Sequence, residues 1–392
     1  MVVKPKVRGF ICTTSHPEGC RAEVKAQIDY VKSKPRTDGA KKVLVIGASM
    51  GYGLASRITA AFSGGAATIG VIFDKQGDEK RTASSGWYNT AAFEEFAAAE
   101  GLYAKTVNGD AYSEAVKNQV IDMIKKDLGK IDMVIYSLAA PRRTDKDGTV
   151  YTSVLKTTGG DYTNKTIDLK TRQLSEVTVT AATDEEIRHT VKVMGGEDWK
   201  DWIKALKAAD ALDDGAVTVA YSYIGPSLTH SIYFDGSIGR AKAHLHKTAD
   251  EINTEFDGVN AYVSVNKALV TQSSAAIPVV PLYISILYKI MKKKGNHEGC
   301  IEQMYRLFNE KLFGGDVPLD SEGRIRMDDW EMREDIQKEV SDAWNKISND
   351  NINEYADIDG YWDDFYKLFG FGAVGVDYDA ETETIAEIPS LS

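Results

Sequence analysis

The segment KKVLVIGASMGYGLASRITAAF restricts the possible fold of this chain more than any other part of its sequence. Residues 43–46 predict a buried strand, a glycine-rich turn follows, and residues 54–62 predict a helix. Gly47, Gly51 and Gly53 have the spacing G-x-x-x-G-x-G, and a Cβ atom there would block both the tight turn and the approach of a pyrophosphate. A strand, a glycine turn and a helix in this order form a phosphate-binding cradle, because backbone N–H groups at the helix start face the anion.

Strand and helix patterns continue to alternate along the chain. Further Val- and Ile-rich strands are predicted at residues 66–75, 102–110, 131–141, 216–225 and 260–271. Helical patterns lie between them, which is typical of parallel strands whose sheet is covered on both faces. We therefore predict an α/β fold with a Rossmann-type doubly wound parallel sheet.

Two regions depart from this alternation. Residues 142–182 are rich in Thr, Lys, Asp and Gly and predict an inserted hairpin region, with helices after it at about 183–193 and 197–210. Beyond residue 271 the pattern is mostly helical, at about 283–294, 298–313, 327–348 and 361–369. The predicted parts are an N-terminal segment (1–40), a Rossmann core (41–141 and 211–300), an insertion with hairpin and helices (142–210) and a helical C-terminal region (301–392).

Composition and charge exclude several classes of function. The chain has a net charge of −11, whereas a nucleic-acid-binding protein needs clustered Lys and Arg for the phosphate backbone. The most apolar segment, residues 275–291, contains two prolines and is shorter than the ~20 apolar residues of a membrane span. Three cysteines do not make a disulfide framework, and the N-terminus lacks the apolar stretch of a signal peptide. We expect a cytoplasmic protein that binds neither nucleic acid nor a membrane.

The end of the second predicted strand indicates which dinucleotide the cradle binds. It reads VIFDK and places Asp74 where a carboxylate accepts hydrogen bonds from the adenosine ribose. The same carboxylate repels a 2′-phosphate, so the sequence favours NADH over NADPH, with Lys75 beside it acting in the opposite direction.

The segment SIYFDGSIGRAKAHLHK, residues 231–247, follows the fifth predicted strand and is dense in groups that move protons. Active residues of an open α/β sheet lie beyond the carboxyl ends of its strands, which favours Tyr233 and Lys242, at the spacing Y-x8-K. A nearby ammonium stabilises the phenolate that proton donation leaves behind. Gly236 and Gly239 predict the turn that lets the tyrosine loop meet the helix start. The alternative is a packed loop aromatic beside a surface lysine.

Other candidates are weaker. Tyr30 with Lys34 and Tyr288 with Lys292 have the Y-x-x-x-K spacing usual in short-chain dehydrogenases and reductases, but neither lies where this topology places an active site. His244 and His246 are interpreted as helix surface, and His230 as a group that could orient Tyr233.

Two further patterns are interpreted as structural. Trp199 and Trp202, three residues apart on one helix face, predict core packing. Cys12, His16 and Cys20 recur at four-residue spacing, but no fourth ligand suggests itself, so no metal site is predicted.

Several long stretches carry a family resemblance over essentially the whole length. They include VRGFICTTSHPEGC, GWYNTAAFE, TVKVMGGEDW, AYSYIGP, IYFDGSIGRAK, VTQSSAAIPVVPLY, KKGNHEGCIEQM and LFGFGAVGVDYD. In these stretches the chain resembles the FabV/Ter family of trans-2-enoyl-thioester reductases, which the Y-x8-K spacing marks. The resemblance implies a short-chain-dehydrogenase-like Rossmann fold, with the N-terminal segment covering the cofactor cleft.

The resemblance also implies roles for individual residues. Tyr233 would be the proton donor, Lys242 would bind the cofactor and support Tyr233, and Tyr223 would contact the substrate thioester. The implied NADH-binding residues are, besides Lys242, Gly47, Ala48, Ser49, Met50, Gly51, Tyr52, Phe73, Asp74, Asp110, Ala111, Leu138, Ala139, Leu269, Val270 and Thr271.

The implied activity is NADH-dependent reduction of enoyl-CoA or enoyl-acyl-carrier-protein in fatty acid synthesis, by a monomer without metal or flavin. Two rival functions remain open: a ketone or alcohol dehydrogenase on the same fold, and a non-catalytic NADH-binding protein. The sequence leaves the carrier and the acyl chain length undecided.

Overall fold

A computed structural model describes residues 1–9, 11–272 and 274–391 of the chain, and a sheet of seven parallel strands lies at its centre. In chain order the strands are β1 (Lys42–Ile46), β2 (Ala67–Ile72), β3 (Ala104–Asn108), β4 (Ile131–Tyr136), β5 (Leu212–Ser222), β6 (Val259–Val265) and β7 (Arg324–Arg326). They lie side by side in the order β3-β2-β1-β4-β5-β6-β7, and each neighbouring pair is parallel. This order contains the reversal between β1 and β4 that defines a doubly wound sheet, as predicted.

Helices cover both faces of the sheet and form most of the C-terminal region. They are α1 (Pro17–Lys32), α2 (Gly51–Ile58), α3 (Ser85–Ala99), α4 (Glu114–Asp127), α5 (Asp184–Met194), α6 (Glu197–Ala208), α7 (Ser227–His230), α8 (Ser237–Glu255), α9 (Val280–Lys294), α10 (Cys300–Arg306), α11 (Glu334–Lys346), α12 (Ile352–Tyr355) and α13 (Ile358–Lys367). Short π-helical turns extend α2 through Thr59–Ser63 and α10 through Leu307–Leu312, and a 3-10 turn covers Ser274–Ala276.

Three antiparallel pairs lie outside the main sheet. They are Val7–Arg8 with Ile11–Cys12, Arg142–Thr144 with Val150–Thr152, and Tyr162–Asp168 with Gln173–Val179. The last two confirm the predicted hairpin region between β4 and α5.

Strand β1 shows why these segments form a two-sided core. Successive side chains of a strand point to opposite faces, and here Val43 and Val45 join one buried cluster while Leu44 and Ile46 join another. All four are fully buried. A strand that buries both faces must read as a continuous apolar run, which is the pattern seen in its sequence.

Helix α6 confirms the interpretation of its two tryptophans. Trp199 and Trp202 are fully buried in the second of these clusters. Their indole N–H groups donate to Thr218 Oγ1 at 2.8 Å and to the Ala111 carbonyl at 3.1 Å. The helix therefore packs against β5 and against the loop that follows β3.

The structure corrects two predicted boundaries, the end of β6 and the start of α11, and adds one strand, β7. The strand predicted to reach residue 271 ends at Val265, because its carbonyl accepts the N–H groups of Met327 and Asp328 and the chain then leaves the sheet. Strand β7, only three residues long, was missed because so short a run carries no pattern. The helix predicted at 327–348 begins only at Glu334, because Met327 and Asp328 donate their N–H groups to the Val265 carbonyl at the end of β6.

Within the described ranges, no helix is long and apolar enough to cross a membrane.

Candidate active site

The predicted cofactor residues converge at one edge of the sheet. Each group begins one to four residues after a strand: Gly47 follows β1, Phe73 follows β2, Asp110 follows β3, Leu138 follows β4 and Leu269 follows β6. The carboxyl ends of parallel strands meet at one edge, so the chain brings these residues together although 222 positions separate the first from the last.

The glycine turn has the shape of a phosphate cradle. Gly47 has a φ of +83°, and a Cβ atom there would stand 2.2 Å from the Ser137 carbonyl oxygen. A Cβ on Gly53 would stand 1.9 Å from the carbonyl oxygen of Gly47. Gly51 has a φ of +53° with open space beside it, and among the described residues no side chain caps α2 at Met50. The first N–H groups of α2 are thus available to an anion.

The adenosine end of the expected cofactor site is formed around Asp74. Asp74 Oδ1 accepts a hydrogen bond from Ser84 Oγ at 2.8 Å, and its backbone N–H donates to Asn108 Oδ1 at 2.9 Å. A Cβ on Gly86 would stand 2.4 Å from the same Oδ1, so the start of α3 packs closely against the carboxylate. Phe73 beside it is 81% exposed, so its ring is accessible to a ligand.

The loop after β3 is held in place by a buried lysine of α4. The buried Lys117 donates from Nζ to the carbonyls of Ala111 and Tyr112 at 3.0 Å each and to Asp198 Oδ1 at 2.7 Å. The Asp198 carboxylate balances its charge, which a buried ammonium requires. Ala111 is thereby fixed where the resemblance places the adenine.

Tyr233 lies in the tight turn between α7 and α8. Its backbone N–H donates to the Thr229 carbonyl at 3.0 Å, and its own carbonyl accepts from Gly236 N–H at 3.2 Å. A Cβ on Gly239 would stand 1.7 Å from the Phe234 carbonyl oxygen, and one on Gly236 would stand 2.4 Å from that of Ile232. These contacts confirm that the two glycines let the tyrosine loop lie against the start of α8.

The Tyr233 side chain faces the ring of Tyr223. Their ring centroids are 4.9 Å apart and their planes are inclined at 79°, an edge-to-face contact. Among the described residues, none forms a hydrogen bond with the Tyr233 hydroxyl. Burial raises the pKa of Tyr233 above its usual value, so the phenol keeps its proton at neutral pH.

Lys242 lies one turn into α8, and its ammonium points back toward β5. Its Nζ donates to the Tyr221 carbonyl oxygen at 3.0 Å. Burial lowers the pKa of Lys242 to about 8. An ammonium has three donors, so two remain for a cofactor hydroxyl or for Tyr233.

The histidines of this segment are not helix surface, and that prediction was wrong. His246 Nε2 lies 3.1 Å from Ser222 Oγ at the end of β5, and His244 Nδ1 accepts from Gly196 N–H at 3.0 Å. Burial, with Arg324 and Lys242 nearby, lowers the pKa of His246 to about 4. His230 binds the Gly225 carbonyl at 2.9 Å rather than Tyr233. All three serve packing and loop geometry.

The rival Tyr–Lys pairs have a different geometry. Lys34 Nζ lies over the ring of Tyr30 at 5.0 Å, and Lys292 Nζ lies over the ring of Tyr288 at 5.1 Å. Each ammonium faces a π-system instead of a hydroxyl, so neither pair can share a proton. The Tyr288 hydroxyl accepts the Val270 N–H at 2.9 Å instead.

The possible zinc ligands near the N-terminus have a structural role. His16 Nδ1 accepts the Gly19 N–H at 3.1 Å and caps α1. Across the described part of the chain, no group of three or more His, Cys, Asp or Glu side chains could hold a metal ion.

Two buried charged residues near this site were missed by sequence reasoning. Glu331 is fully buried and accepts hydrogen bonds from Tyr223, Tyr283 and Ala268 N–H. Lys267, 2% exposed, donates to the Ala268 carbonyl at 3.0 Å, and burial lowers its pKa to about 8. Glu331 belongs to the acidic stretch MDDWEM, which resembles solvated surface, so no sequence signal marked it.

Family models match the chain in three consecutive parts. The NAD(P)H binding domain of trans-2-enoyl-CoA reductase matches residues 2–79, the trans-2-enoyl-CoA reductase catalytic region matches residues 81–313, and the enoyl reductase FAD binding domain matches residues 319–382.

Curated relatives match over the full length. The chain is 57% identical to the trans-2-enoyl-CoA reductase (NADH) of Ruminiclostridium cellulolyticum, covering 100% of both chains. It is 58% identical to the enoyl-[acyl-carrier-protein] reductase (NADH) of Coxiella burnetii, covering 100% of this chain and 98% of that one.

Solved structures agree in fold. The Treponema denticola trans-2-enoyl-CoA reductase in complex with NAD has a TM-score of 0.96 at 51% identity, covering 99% of this chain and 100% of that one. A clostridial trans-2-enoyl-CoA reductase in complex with NADH has a TM-score of 0.95 at 47% identity, covering 98% of both.

The flavin that the third family model names does not fit residues 319–382. This part contains a G-x-G-x-x-G run, Gly370, Gly372 and Gly375, but the run follows helix α13 instead of a strand and no described helix follows it. A dinucleotide cradle needs both neighbours. A Cβ on Gly370 would stand 2.4 Å from the Cys20 backbone nitrogen, so this turn packs against α1.

Proposed function

This chain belongs to the trans-2-enoyl-CoA reductase family, and we propose that it reduces the C2=C3 double bond of trans-2-enoyl thioesters with NADH. The observation that carries the proposal is the half-buried Tyr233 hydroxyl, which forms no hydrogen bond with any described residue and lies on a loop beyond β5 at the cofactor edge of the sheet. Family membership supports the reaction class, and Tyr233 is the residue that we propose as the acid that the reaction needs.

When bound, NADH supplies a hydride to the electron-poor β-carbon of the substrate. Negative charge then develops on the thioester oxygen, and Tyr233 donates a hydrogen bond to that atom. Tyr233 also supplies or relays the proton that completes the saturated product. Its raised pKa keeps that proton on the phenol before the reaction.

Lys242 supports proton donation by Tyr233. Its bond to the Tyr221 carbonyl fixes the ammonium at the end of β5. From there it binds the cofactor and stabilises a phenolate on Tyr233. Tyr223 contacts the thioester and forms the wall against which Tyr233 packs.

Each group of the remaining predicted residues binds a different part of the NADH molecule. Residues 47–52 bind the pyrophosphate, Phe73 and Asp74 the adenosine ribose, and Asp110 and Ala111 the adenine. Further along the cofactor lie Leu138 and Ala139, with residues 269–271 at the nicotinamide.

The division of the chain that the sequence suggested is retained in this proposal. Residues 1–40 cover the cofactor cleft, and Ser15 N–H supports this by donating at 3.2 Å to Thr82 Oγ1, in the loop after Asp74. The core comprises residues 41–141 and 211–300, the insertion residues 142–210, and the C-terminal region residues 301–392.

We further propose a cytoplasmic monomer that acts in fatty acid synthesis. The carrier is coenzyme A or acyl-carrier protein. Of the three lysines that end α9, Lys292 pairs with Asp357 at 2.8 Å and Lys294 pairs with Asp335 and Glu339, so these two are engaged within the chain.

The decisive experiment is NADH oxidation with crotonyl-CoA, followed by C4 to C12 enoyl substrates on both carriers. Turnover of an enoyl thioester supports the proposal, and the ratio between carriers separates a CoA reductase from a fatty-acid-synthesis enzyme. Oxidation of NADH by ketones alone would support the dehydrogenase alternative. Tight NADH binding with no turnover would support a non-catalytic protein.

A further inference from the structure

We propose that Glu331 is a positioning residue for this reaction: it holds the Tyr223 hydroxyl away from the thioester and leaves Tyr233 as the single hydroxyl donor. The inference rests on the proposed function. It gives the C-terminal region, residues 301–392, a defined part in the active site.

The Glu331 carboxylate is completely enclosed and makes three hydrogen bonds. Oε1 accepts from the Tyr283 hydroxyl at 2.6 Å and from the Tyr223 hydroxyl at 3.1 Å. Oε2 accepts from the Ala268 N–H at 2.7 Å. The glutamate thus joins the loop after β6 to the tyrosine after β5.

Burying a carboxylate costs hydration free energy that an apolar side chain of similar size would not cost. A buried charge costs several kcal/mol in lost hydration unless partners compensate for it. Burial raises the pKa of Glu331, while the charge of Lys267 and the Tyr283 and Ala268 hydrogen bonds act in the opposite direction. An enclosed carboxyl group that accepts three hydrogen bonds indicates a requirement for an acceptor at this position.

The single donor hydrogen of Tyr223 limits how this residue can contact the substrate. A phenol has one donor hydrogen, and Glu331 Oε1 accepts from both the Tyr223 and the Tyr283 hydroxyls. Tyr223 therefore commits its hydrogen to Glu331 and meets the substrate through its ring. The ring then stands edge-to-face against Tyr233, whose hydroxyl forms no hydrogen bond with any described residue.

The same carboxylate reaches the cofactor side. Its bond to Ala268 N–H fixes the start of the segment at residues 269–271 expected to contact the nicotinamide. One side chain thus sets the relative position of the substrate tyrosine and the cofactor loop. An error of about 1 Å between reacting groups can cost roughly a hundredfold in rate.

A double-mutant cycle of Glu331→Gln and Tyr223→Phe tests the proposal. The side-chain amide in Glu331→Gln would keep an acceptor for Ala268 N–H but turn its NH₂ donor toward the tyrosines, so Tyr223 must accept and its hydrogen is released. We expect Glu331→Gln to lower kcat for crotonyl-CoA by about tenfold or more, with the NADH Kd and the Tm nearly unchanged. In the Tyr223→Phe background the same change should add less than about threefold, because no hydroxyl remains to orient.

Tyr283→Phe is the matched control, since it removes the other hydroxyl from the same oxygen. Tyr283 is a core residue, so its loss should lower Tm while kcat stays within about threefold. If Glu331→Gln does not fold, Glu331→Asp decides: its shorter side chain withdraws the acceptor from the Tyr223 hydroxyl, so kcat should fall in the wild-type background and hardly change in the Tyr223→Phe background, and equal losses in both backgrounds overturn the proposal.

Two outcomes separate this inference from the proposed function. If the wild type turns over enoyl thioesters but the two substitutions multiply, or Glu331→Gln keeps wild-type kcat, Glu331 does not act through Tyr223 and the inference alone is overturned. If the wild type turns over no enoyl thioester, the proposed function is overturned and the inference with it.

Discussion

The α-carbon of Gly239 lies against the carbonyl oxygen of Phe234, so that a Cβ atom at residue 239 would stand 1.7 Å from that oxygen. This contact folds the Tyr233 turn onto the first turn of α8. It explains why nine positions can separate the tyrosine from Lys242: the tyrosine belongs to the preceding turn, and the lysine to the helix.

Gly239→Ala should therefore destabilise the protein although it improves helix propensity. Alanine gains at most about 1 kcal/mol in a helix, while the backbone clash should cost roughly 2–4 kcal/mol and displace Tyr233. Urea unfolding and kcat for crotonyl-CoA measure both effects. Gly159→Ala is the control, since no atom lies within 4 Å of its Cβ position. Equal behaviour of the two variants would contradict the packing argument.

Tyr233→Phe should lower kcat by about 10² to 10⁴, the usual contribution of a positioned general acid. NADH binding, followed by fluorescence titration, should remain close to that of the wild type. Phe234→Leu changes a neighbouring side chain on the same turn, 47% exposed, and should leave turnover nearly intact. Near-normal turnover in Tyr233→Phe would remove this residue from the mechanism.

Lys242→Met should weaken both cofactor binding and turnover, because its ammonium serves both. The buried stem is retained by methionine, so the fold should survive. We expect kcat/KM for NADH to fall by about tenfold to a thousandfold. A variant that loses turnover but binds NADH normally would limit the lysine to supporting Tyr233.

Asp74→Asn should shift the preference between the two nicotinamide cofactors. Removing the carboxylate relieves its repulsion of a 2′-phosphate, and the ratio of kcat/KM for NADPH over NADH should rise by about tenfold. Asp38→Asn, fully exposed and remote from this loop, is the control. An unchanged ratio in Asp74→Asn would show that another group selects the cofactor.

His246 should make the protein less stable in acid. Its pKa is about 4 when folded, below the usual 6.5, so between these pH values the unfolded chain binds a proton that the folded chain refuses. The free energy of unfolding should then fall with decreasing pH across this window, by up to about 3 kcal/mol from this group. Urea unfolding at several pH values measures the slope. His246→Gln should flatten it, and identical slopes would exclude His246 as a source.

Much of the scaffold could be predicted from local pattern. The apolar run of β1, the glycines of its turn and the alternation of strands with helices report backbone periodicity, and the structure brings the predicted cofactor residues to one edge of the sheet. The Y-x8-K pair was predicted as the catalytic pair because topology and family resemblance both indicated the segment beyond β5.

The tertiary structure decided what local pattern cannot carry. Whether His246 faces solvent or Ser222 depends on how α8 lies on the sheet. Glu331 meets Tyr223 across 108 positions of sequence, in a stretch whose charges resemble a solvated surface. The sequence determined which groups are available and which backbone shapes they prefer. Hydrogen bonds and burial between distant segments determined which groups lose water, and hence which ones can orient the acid.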